Sequence, residues 1–209
     1  IYDIRPTIAP VRLATALSGL DIEGFFGADG APASIADTEL MLRGVTVSSD
    51  DCESEWLFVA VPGLKQHGIR FAHAAIEAGA SVVLTDEEGR TQAHERGLGV
   101  PVIQVADPRG VVAQLCANVY TSPATRLTTM AITGTNGKTT TSYLMRAAIA
   151  SRFPHASLCG TVETHVGPIS FEAVRTTAEA PVVARFLAAT EQYECGAGVI
   201  ELSAHALSL

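Results

Sequence analysis

An apolar run, Met130-Ala131-Ile132, leads directly into Thr133-Gly134-Thr135-Asn136-Gly137-Lys138-Thr139-Thr140-Thr141, and a helix-forming stretch follows over residues 142–150. Few backbone arrangements accommodate that order. A strand must turn on glycines into a helix N-terminus, and successive N–H groups of such a turn converge on one anion. The stretch therefore predicts strand, phosphate-binding loop and helix. Lys138 would reach terminal phosphates, and the hydroxyl of Thr139 or Thr140 would sit near a magnesium ion. The match to G-x-x-x-x-G-K-[ST] is imperfect: the first glycine of that pattern would occupy position 132, which is Ile132, and Gly134 comes two residues late. A glycine turn that merely caps a helix, with Lys138 solvated, is the plain alternative.

The rest of the chain reads as α/β. Trp56-Leu57-Phe58-Val59-Ala60-Val61, stopped by Pro62-Gly63, is a continuous apolar run, as are Ser81-Val82-Val83-Leu84-Thr85 and Pro101-Val102-Ile103-Gln104-Val105. Each fits a strand buried on both faces. Residues 39–47 have strand character too. Helical spacing marks residues 69–79 and 108–120, with shorter helices over 11–17 and 91–96, and residues 24–33 read as a loop. Beyond the glycine loop, residues 156–159 and 197–202 read as strands and 181–192 as a helix, while 160–180 look irregular. Strands alternating with helices imply a mainly parallel sheet. Thr121-Ser122-Pro123-Ala124 is the linker candidate, dividing the chain into residues 1–124 and 125–209.

With 209 residues, 47% of them hydrophobic, a sizeable core can be buried. The net charge of −8, without any Lys/Arg run, excludes a non-specific nucleic-acid binder and opposes attraction to anionic membranes. An anionic nucleotide must then be held by local groups. The cysteines, Cys52, Cys116, Cys159 and Cys195, form no C-x-x-C pair and no zinc spacing, as expected of free thiols in a reducing compartment. No apolar run approaches the ~20 residues that span a bilayer, and no leader peptide is recognisable, so a cytoplasmic location is expected. A start at Ile1 and a stop at Leu209, just after a strand, suggest a piece of something longer.

Three further motifs carry chemistry. Val199-Ile200-Glu201-Leu202-Ser203 puts a carboxylate at the carboxyl end of an apolar strand, where open α/β sheets bind ligands. Glu201 is either a magnesium-holding residue or a solvated strand-end acid. Thr176-Thr177, ahead of Ala180-Pro181, can donate to a phosphate, sugar or carboxylate, or simply cap a helix. Val45-Thr46-Val47-Ser48-Ser49-Asp50 precedes a loop from Gly63 to Gly68 in which Lys65, Gln66 and His67 either meet a ligand or stay solvated.

Together these segments resemble the Mur ligase family, in particular its MurE type, the UDP-N-acetylmuramyl-tripeptide synthetases. The glycine loop matches the family's ATP-binding loop, and Glu201-Leu202-Ser203-Ala204-His205-Ala206-Leu207 is similar to its Glu-Val-Ser-Ser-His-Ala/Gly-Leu segment, with Ala204 replacing a serine. The family's Asp-Ser-Arg triplet keeps only Ser49, since Ser48 and Asp50 depart from it, and Arg175 stands where the family often has Asn. The resemblance implies a small α/β nucleotide-sugar-binding domain followed by the first part of a P-loop-type central domain. It implies ATP and Mg2+ as cofactors, with Gly134, Thr135, Asn136, Gly137, Lys138, Thr139 and Thr140 around the nucleotide and Thr139 with Glu201 on the metal. Lys138 and Glu201 would be catalytic. Val47, Ser49, Thr176, Thr177 and Ser203 would hold UDP-N-acetylmuramyl-dipeptide, and the second substrate would be a diamino acid: lysine, diaminopimelate or ornithine. The implied activity is ATP-dependent amide ligation through an acyl phosphate. The family's carbamylated lysine and amino-acid-selecting domain would lie in a remaining C-terminal part of the protein, so this chain alone is expected to lack turnover. Another Mur branch, a P-loop hydrolase or kinase, and a stand-alone nucleotide-binding module are the rival readings.

Overall fold

The computed structural model describes residues 4–172 and 178–203. The chain divides into two compact units, Ile8–Thr121 and a second built from Ile1–Thr7 with Ser122–Leu209.

In the first unit the order is β1 (Val11–Arg12), α1 (Leu13–Ala16), β2 (Gly24–Phe26), β3 (Met41–Leu42), β4 (Gly44–Thr46), β5 (Trp56–Val59), α2 (Ala72–Glu77), β6 (Ala80–Thr85), α3 (Glu87–Arg96), β7 (Val102–Gln104) and α4 (Pro108–Val119). A five-stranded sheet runs β2-β7-β6-β5-β4. Strands β4 to β7 are parallel and β2 is an antiparallel edge. Alternate residues of the apolar strands serve opposite faces. Trp56, Phe58 and Val83 pack with Ile69, Ala72, Ala75 and Ala93 around α2 and α3. Leu57, Val59, Leu84 and Ile103 are equally buried, and α4 packs on β4 and β5 with α1 beside it. Helices cover both faces, which is why these strands read as unbroken apolar runs.

Local chemistry sets the helix ends. Pro108 opens α4, Asp107 Oδ1 accepts from the Arg109 amide at 3.1 Å, and Val112, Leu115, Cys116 and Val119 form the buried stripe. Helix α3 starts four residues before the expected 91, because Asp86 caps it and Glu87 and Glu88 favour the first turn electrostatically. The expected helix over 11–17 is a two-residue strand followed by the short α1, and the expected loop over 24–33 contains the edge strand β2. The strand expected over 39–47 is broken at Arg43 into β3 and β4.

The second unit comprises β8 (Thr128–Ile132), α5 (Lys138–Ile149), β9 (Ser157–Cys159), β10 (Glu163–Val166), β11 (Ile169–Glu172), α6 (Ala180–Gln192) and β12 (Ala197–Glu201). Its sheet runs β11-β10-β9-β12-β8. Strands β9, β12 and β8 are parallel, so β8 and β12 end side by side with Ile132 opposite Glu201. Residues 163–172, expected to be irregular, form an antiparallel hairpin in which Val166 pairs Ile169 across Gly167-Pro168. The alternation in that segment is short, and one of its two buried positions in β10 is held by the polar Thr164.

Helix α6 lays Val182, Phe186, Leu187 and Ala189 against Cys159, Val166 and Ile200, and the N-terminal segment adds the fully buried Ile4. The Thr7 amide donates to Gln192 Oε1 at 2.8 Å. Both ends of the sequence thus build this unit. Truncating Ile4 to alanine should cost about 2–5 kcal/mol of its stability. Hydrogen exchange should then quicken in α6 and β12 while β4–β7 keep their protection.

Candidate functional site

The loop at residues 133–137 leaves β8 and enters α5 through Gly137, whose φ of 79° lies in the left-handed region. A side chain there would meet nothing within 4 Å, so conformation rather than crowding calls for glycine. Gly137 caps α5 without a side-chain hydrogen bond. The first-turn amides are therefore not engaged by a capping side chain, the arrangement by which helix N-termini hold anions. The Lys138 ammonium folds over the loop, donating to the Gly134 carbonyl at 2.8 Å and lying 3.4 Å from that of Thr135. Thr135, Asn136 and Thr140 are exposed.

Glu201, the last residue of β12, has no solvent exposure. Thr139 Oγ1 donates to its Oε2 at 3.0 Å, and Thr161 Oγ1 donates to the same oxygen at 2.8 Å. Ser142 Oγ lies 2.8 Å from Oε1 and 2.7 Å from the Thr139 carbonyl oxygen. Its one proton is thus contested between a carboxylate and a backbone acceptor. Gly160 makes the close approach possible: a Cβ there would stand 2.5 Å from Glu201 Oε1. Of the two threonines expected beside a metal, Thr139 faces Glu201 and Thr140 faces outward. Ser203 is half-buried just beyond β12. Thr176, Thr177, Arg175 and His205 lie outside the described residues.

Next to this cluster Cys159 ends β9. Burial pushes its thiol from an ordinary 9.0 up to about 11, against a smaller opposing effect of the Thr164 hydroxyl. One turn beyond Ser142 along α5, Arg146 stands 3.8 Å from Glu163. Desolvation raises the Tyr143 phenol, reinforced by Glu163, and lowers the His165 imidazole, reinforced by Arg146.

In the first unit Val47 and Ser49 follow the carboxyl end of β4, both half-buried. A short-range lock shapes the turn: Thr46 Oγ1 donates to the buried Asp51 Oδ2 at 3.0 Å and accepts from the Ser48 amide at 3.1 Å. Ser49 Oγ reaches its neighbour Asp50, at 3.4 Å. The loop that follows β5 turns back on itself, the Gly63 amide donating to the Gln66 carbonyl at 3.2 Å. Lys65 and Gln66 are exposed, whereas the His67 side chain is only 7% exposed.

Two family models match these two regions: the Mur ligase family catalytic domain over residues 41–120 and the Mur ligase middle domain over residues 132–209. The chain belongs to the Mur ligase family. It is 37% identical over 183 residues to the UDP-N-acetylmuramoyl-L-alanyl-D-glutamate–2,6-diaminopimelate ligase of Streptomyces avermitilis, covering 88% of this chain and 35% of that protein. It is 35% identical to the enzyme of the same name from Streptomyces coelicolor, covering 96% and 38%. It is also 35% identical to the UDP-N-acetylmuramyl-tripeptide synthetase of Leifsonia xyli, covering 98% and 37%. The chain therefore spans little more than a third of these relatives' length. Among solved structures, a UDP-N-acetylmuramoyl-L-alanyl-D-glutamate–2,6-diaminopimelate ligase superposes with a TM-score of 0.66 at 22% identity, covering 96% of this chain and 37% of that one. MurF of Acinetobacter baumannii superposes with a TM-score of 0.59 at 20% identity, covering 95% and 37%. These likenesses establish the α/β fold of this Mur ligase chain.

Sequence reasoning singled out Glu201 and Thr139 but not Ser142, Thr161 or Gly160. Ser142 carried a signal, since it sits three residues after Thr139 and so on the same helix face. Thr161 carried none, because its approach depends on the parallel pairing of β9 with β12. No group of three or more His, Cys, Asp or Glu assembles among the described residues. Likewise, no described helix is long and apolar enough to cross a membrane.

Removing a hydroxyl partner of a buried carboxylate should cost about 1–3 kcal/mol. Ser142→Ala and Thr161→Val should each lower the thermal midpoint, and Gly160→Ala more than either, because the buried Glu201 must move. The thiol adds a pH signature. Its folded pKa is raised, so the stability it confers is complete below about pH 9 and is lost as pH rises toward 11. In alkaline denaturation Cys159→Ala should flatten that loss.

Proposed function

We propose that this chain is the nucleotide-sugar- and ATP-binding part of a MurE-type ligase. In the complete protein ATP would phosphorylate the free carboxylate of D-glutamate in UDP-N-acetylmuramyl-L-alanyl-D-glutamate, releasing ADP. The amine of a diamino acid would then attack the acyl phosphate, form the amide and expel phosphate. The relatives' names favour 2,6-diaminopimelate as that diamino acid. The unit Ile8–Thr121 serves the nucleotide-sugar and the other unit the ATP, and the remaining machinery belongs to a further part of the same cytoplasmic protein.

The observation that carries this reading is the Thr139–Glu201 contact beside a glycine loop at the carboxyl ends of adjacent parallel strands. The donor set suits Mg2+, which prefers hard oxygen ligands and takes one or two from protein and the rest from phosphate and water. Thr139 and Glu201 would hold the ion, which would supply charge neutralisation at the phosphates. The chain's own residues position and neutralise. Amides at the start of α5 receive phosphate oxygens. Lys138, held over the loop by the Gly134 carbonyl, is within a side chain's swing of the same anion. Thr135 and Asn136 line the loop. Val47 and Ser49 would meet the uridine nucleotide, and Ser203, Thr176 and Thr177 the sugar-peptide. Strand β8 lies at the sheet edge, with Thr128, Thr129 and Ala131 exposed, leaving a side on which further chain could pair.

Calorimetric titration with a non-hydrolysable ATP analogue tests the reading. The chain should bind it, and magnesium should tighten binding. Lys138→Ala should weaken binding by at least about tenfold, the loss of roughly one charge-assisted hydrogen bond. Glu201→Gln should erase the magnesium dependence while leaving metal-free binding nearly unchanged. Unchanged affinity and magnesium dependence in both variants would sink the assignment. The chain by itself should show no amide-forming turnover.

A further inference from the structure

His67 is placed unlike its neighbours in the loop after β5. Lys65 and Gln66 face solvent and Leu64 is fully exposed, yet the His67 ring turns inward. Its Nδ1 accepts from the Ile69 amide at 3.1 Å. The ring proton therefore sits on Nε2, which lies 3.0 Å from Asp86 Oδ1 and donates to it. That same carboxylate oxygen accepts from the Gly89 amide at 2.8 Å, capping α3. Room for the ring is made at Gly89, where a Cβ would stand 2.8 Å from His67 Cε1 and 1.9 Å from Thr85 Oγ1. Thr85 in turn donates to the Ala60 carbonyl at 3.1 Å. The loop after β5 is thus bolted to the loop after β6.

Both loops leave the carboxyl ends of neighbouring parallel strands, on the edge where Val47 and Ser49 leave β4. The loop tip is short and closed: Pro62 pairs with His67, and the Gly68 amide donates to the Val61 carbonyl at 2.9 Å. A tip held only by those backbone bonds could swing about its base. The imidazole–carboxylate bond removes that freedom.

We infer that His67, through Asp86, is a positioning residue that fixes the Lys65–Gln66 tip for a pyrophosphate-bearing uridine nucleotide. This rests on the reading of the first unit as the nucleotide-sugar holder. The Lys65 ammonium and the Gln66 amide are the ligand-facing groups, a point charge and a donor suited to diphosphate oxygens. His67 touches no ligand. It lowers the ordering cost of the tip before binding.

The test uses the full chain and UDP as probe, with the ATP analogue as internal control. His67→Ala and Asp86→Ala should each weaken UDP binding about tenfold, the worth of roughly one hydrogen bond's positioning. Their ATP-analogue affinity should match the parent. Asp86→Asn keeps an acceptor oxygen for both the imidazole and the Gly89 amide, so it should restore near-parent UDP affinity. It also serves if the alanine variants fold poorly. Because Asp86 caps α3, thermal midpoints are measured for every variant and titrations run well below them. A purely structural role predicts lowered midpoints with parent UDP affinity in the surviving folded chain, and that result overturns the inference. So does Asp86→Asn binding UDP as weakly as Asp86→Ala. If the parent chain binds the ATP analogue but not UDP, the nucleotide-sugar reading of the first unit fails, and the inference falls with it.

Discussion

A carboxylate withdrawn from water must be matched by donors, and Glu201 is the group on which the second unit turns. Its desolvation would cost several kcal/mol if left uncompensated. Three hydroxyls surround it, from the first turns of α5 and from the segment after β9. Those contacts tie the end of β12 to the helix that follows the glycine loop and to Thr161, and they require Gly160 to lack a side chain. The order β9-β12-β8 follows the same logic, because only adjacent parallel strands bring Glu201 beside the loop leaving β8. The start of α5, which the glycine loop enters, is thereby fixed to the end of β12 with no ligand present, the preorganisation that the proposed phosphoryl transfer would depend on.

The first unit repeats the device with different chemistry. Buried Asp51 takes the Thr46 hydroxyl, and Asp86 takes an imidazole and a helix amide. Each acid lies in a loop at the carboxyl edge of the parallel strands and holds that loop from below. The half-buried Ser49 and the exposed Lys65 and Gln66 are thus carried on restrained backbone. Binding residues on loops braced by a rigid scaffold are a common solution in open α/β sheets.

Much of this was legible in the chain itself. Apolar runs such as Trp56-Leu57-Phe58-Val59 marked buried parallel strands because both faces are covered by helices. Thr133 to Thr141 announced its loop, since glycines, lysine and hydroxyls at that spacing suit little else. Glu201 was visible as an acid ending an apolar strand, though not its burial. What escaped has a physical reason in each case. The β10–β11 hairpin is short and buries the polar Thr164 where an apolar residue would have marked a strand, and β2 is a three-residue edge strand within a glycine-rich stretch. Thr161, Asp51 and Asp86 act through contacts whose partners are set by strand pairing or by the turn itself, which local pattern does not encode. His67 looked like one more polar loop residue, and only its inward ring distinguishes it from Lys65 and Gln66.

Thr139 and Glu201 are proposed to form the protein's half of a metal site beside the nucleotide phosphates. Anomalous diffraction from crystals of the chain grown with manganese and a non-hydrolysable ATP analogue would test it most directly. An anomalous peak is expected next to Thr139 Oγ1 and the Glu201 carboxylate, with the Thr139–Glu201 hydrogen bond opened or bridged. A manganese ion on the phosphates remote from both side chains, with all three hydroxyl contacts to Glu201 intact, would contradict it.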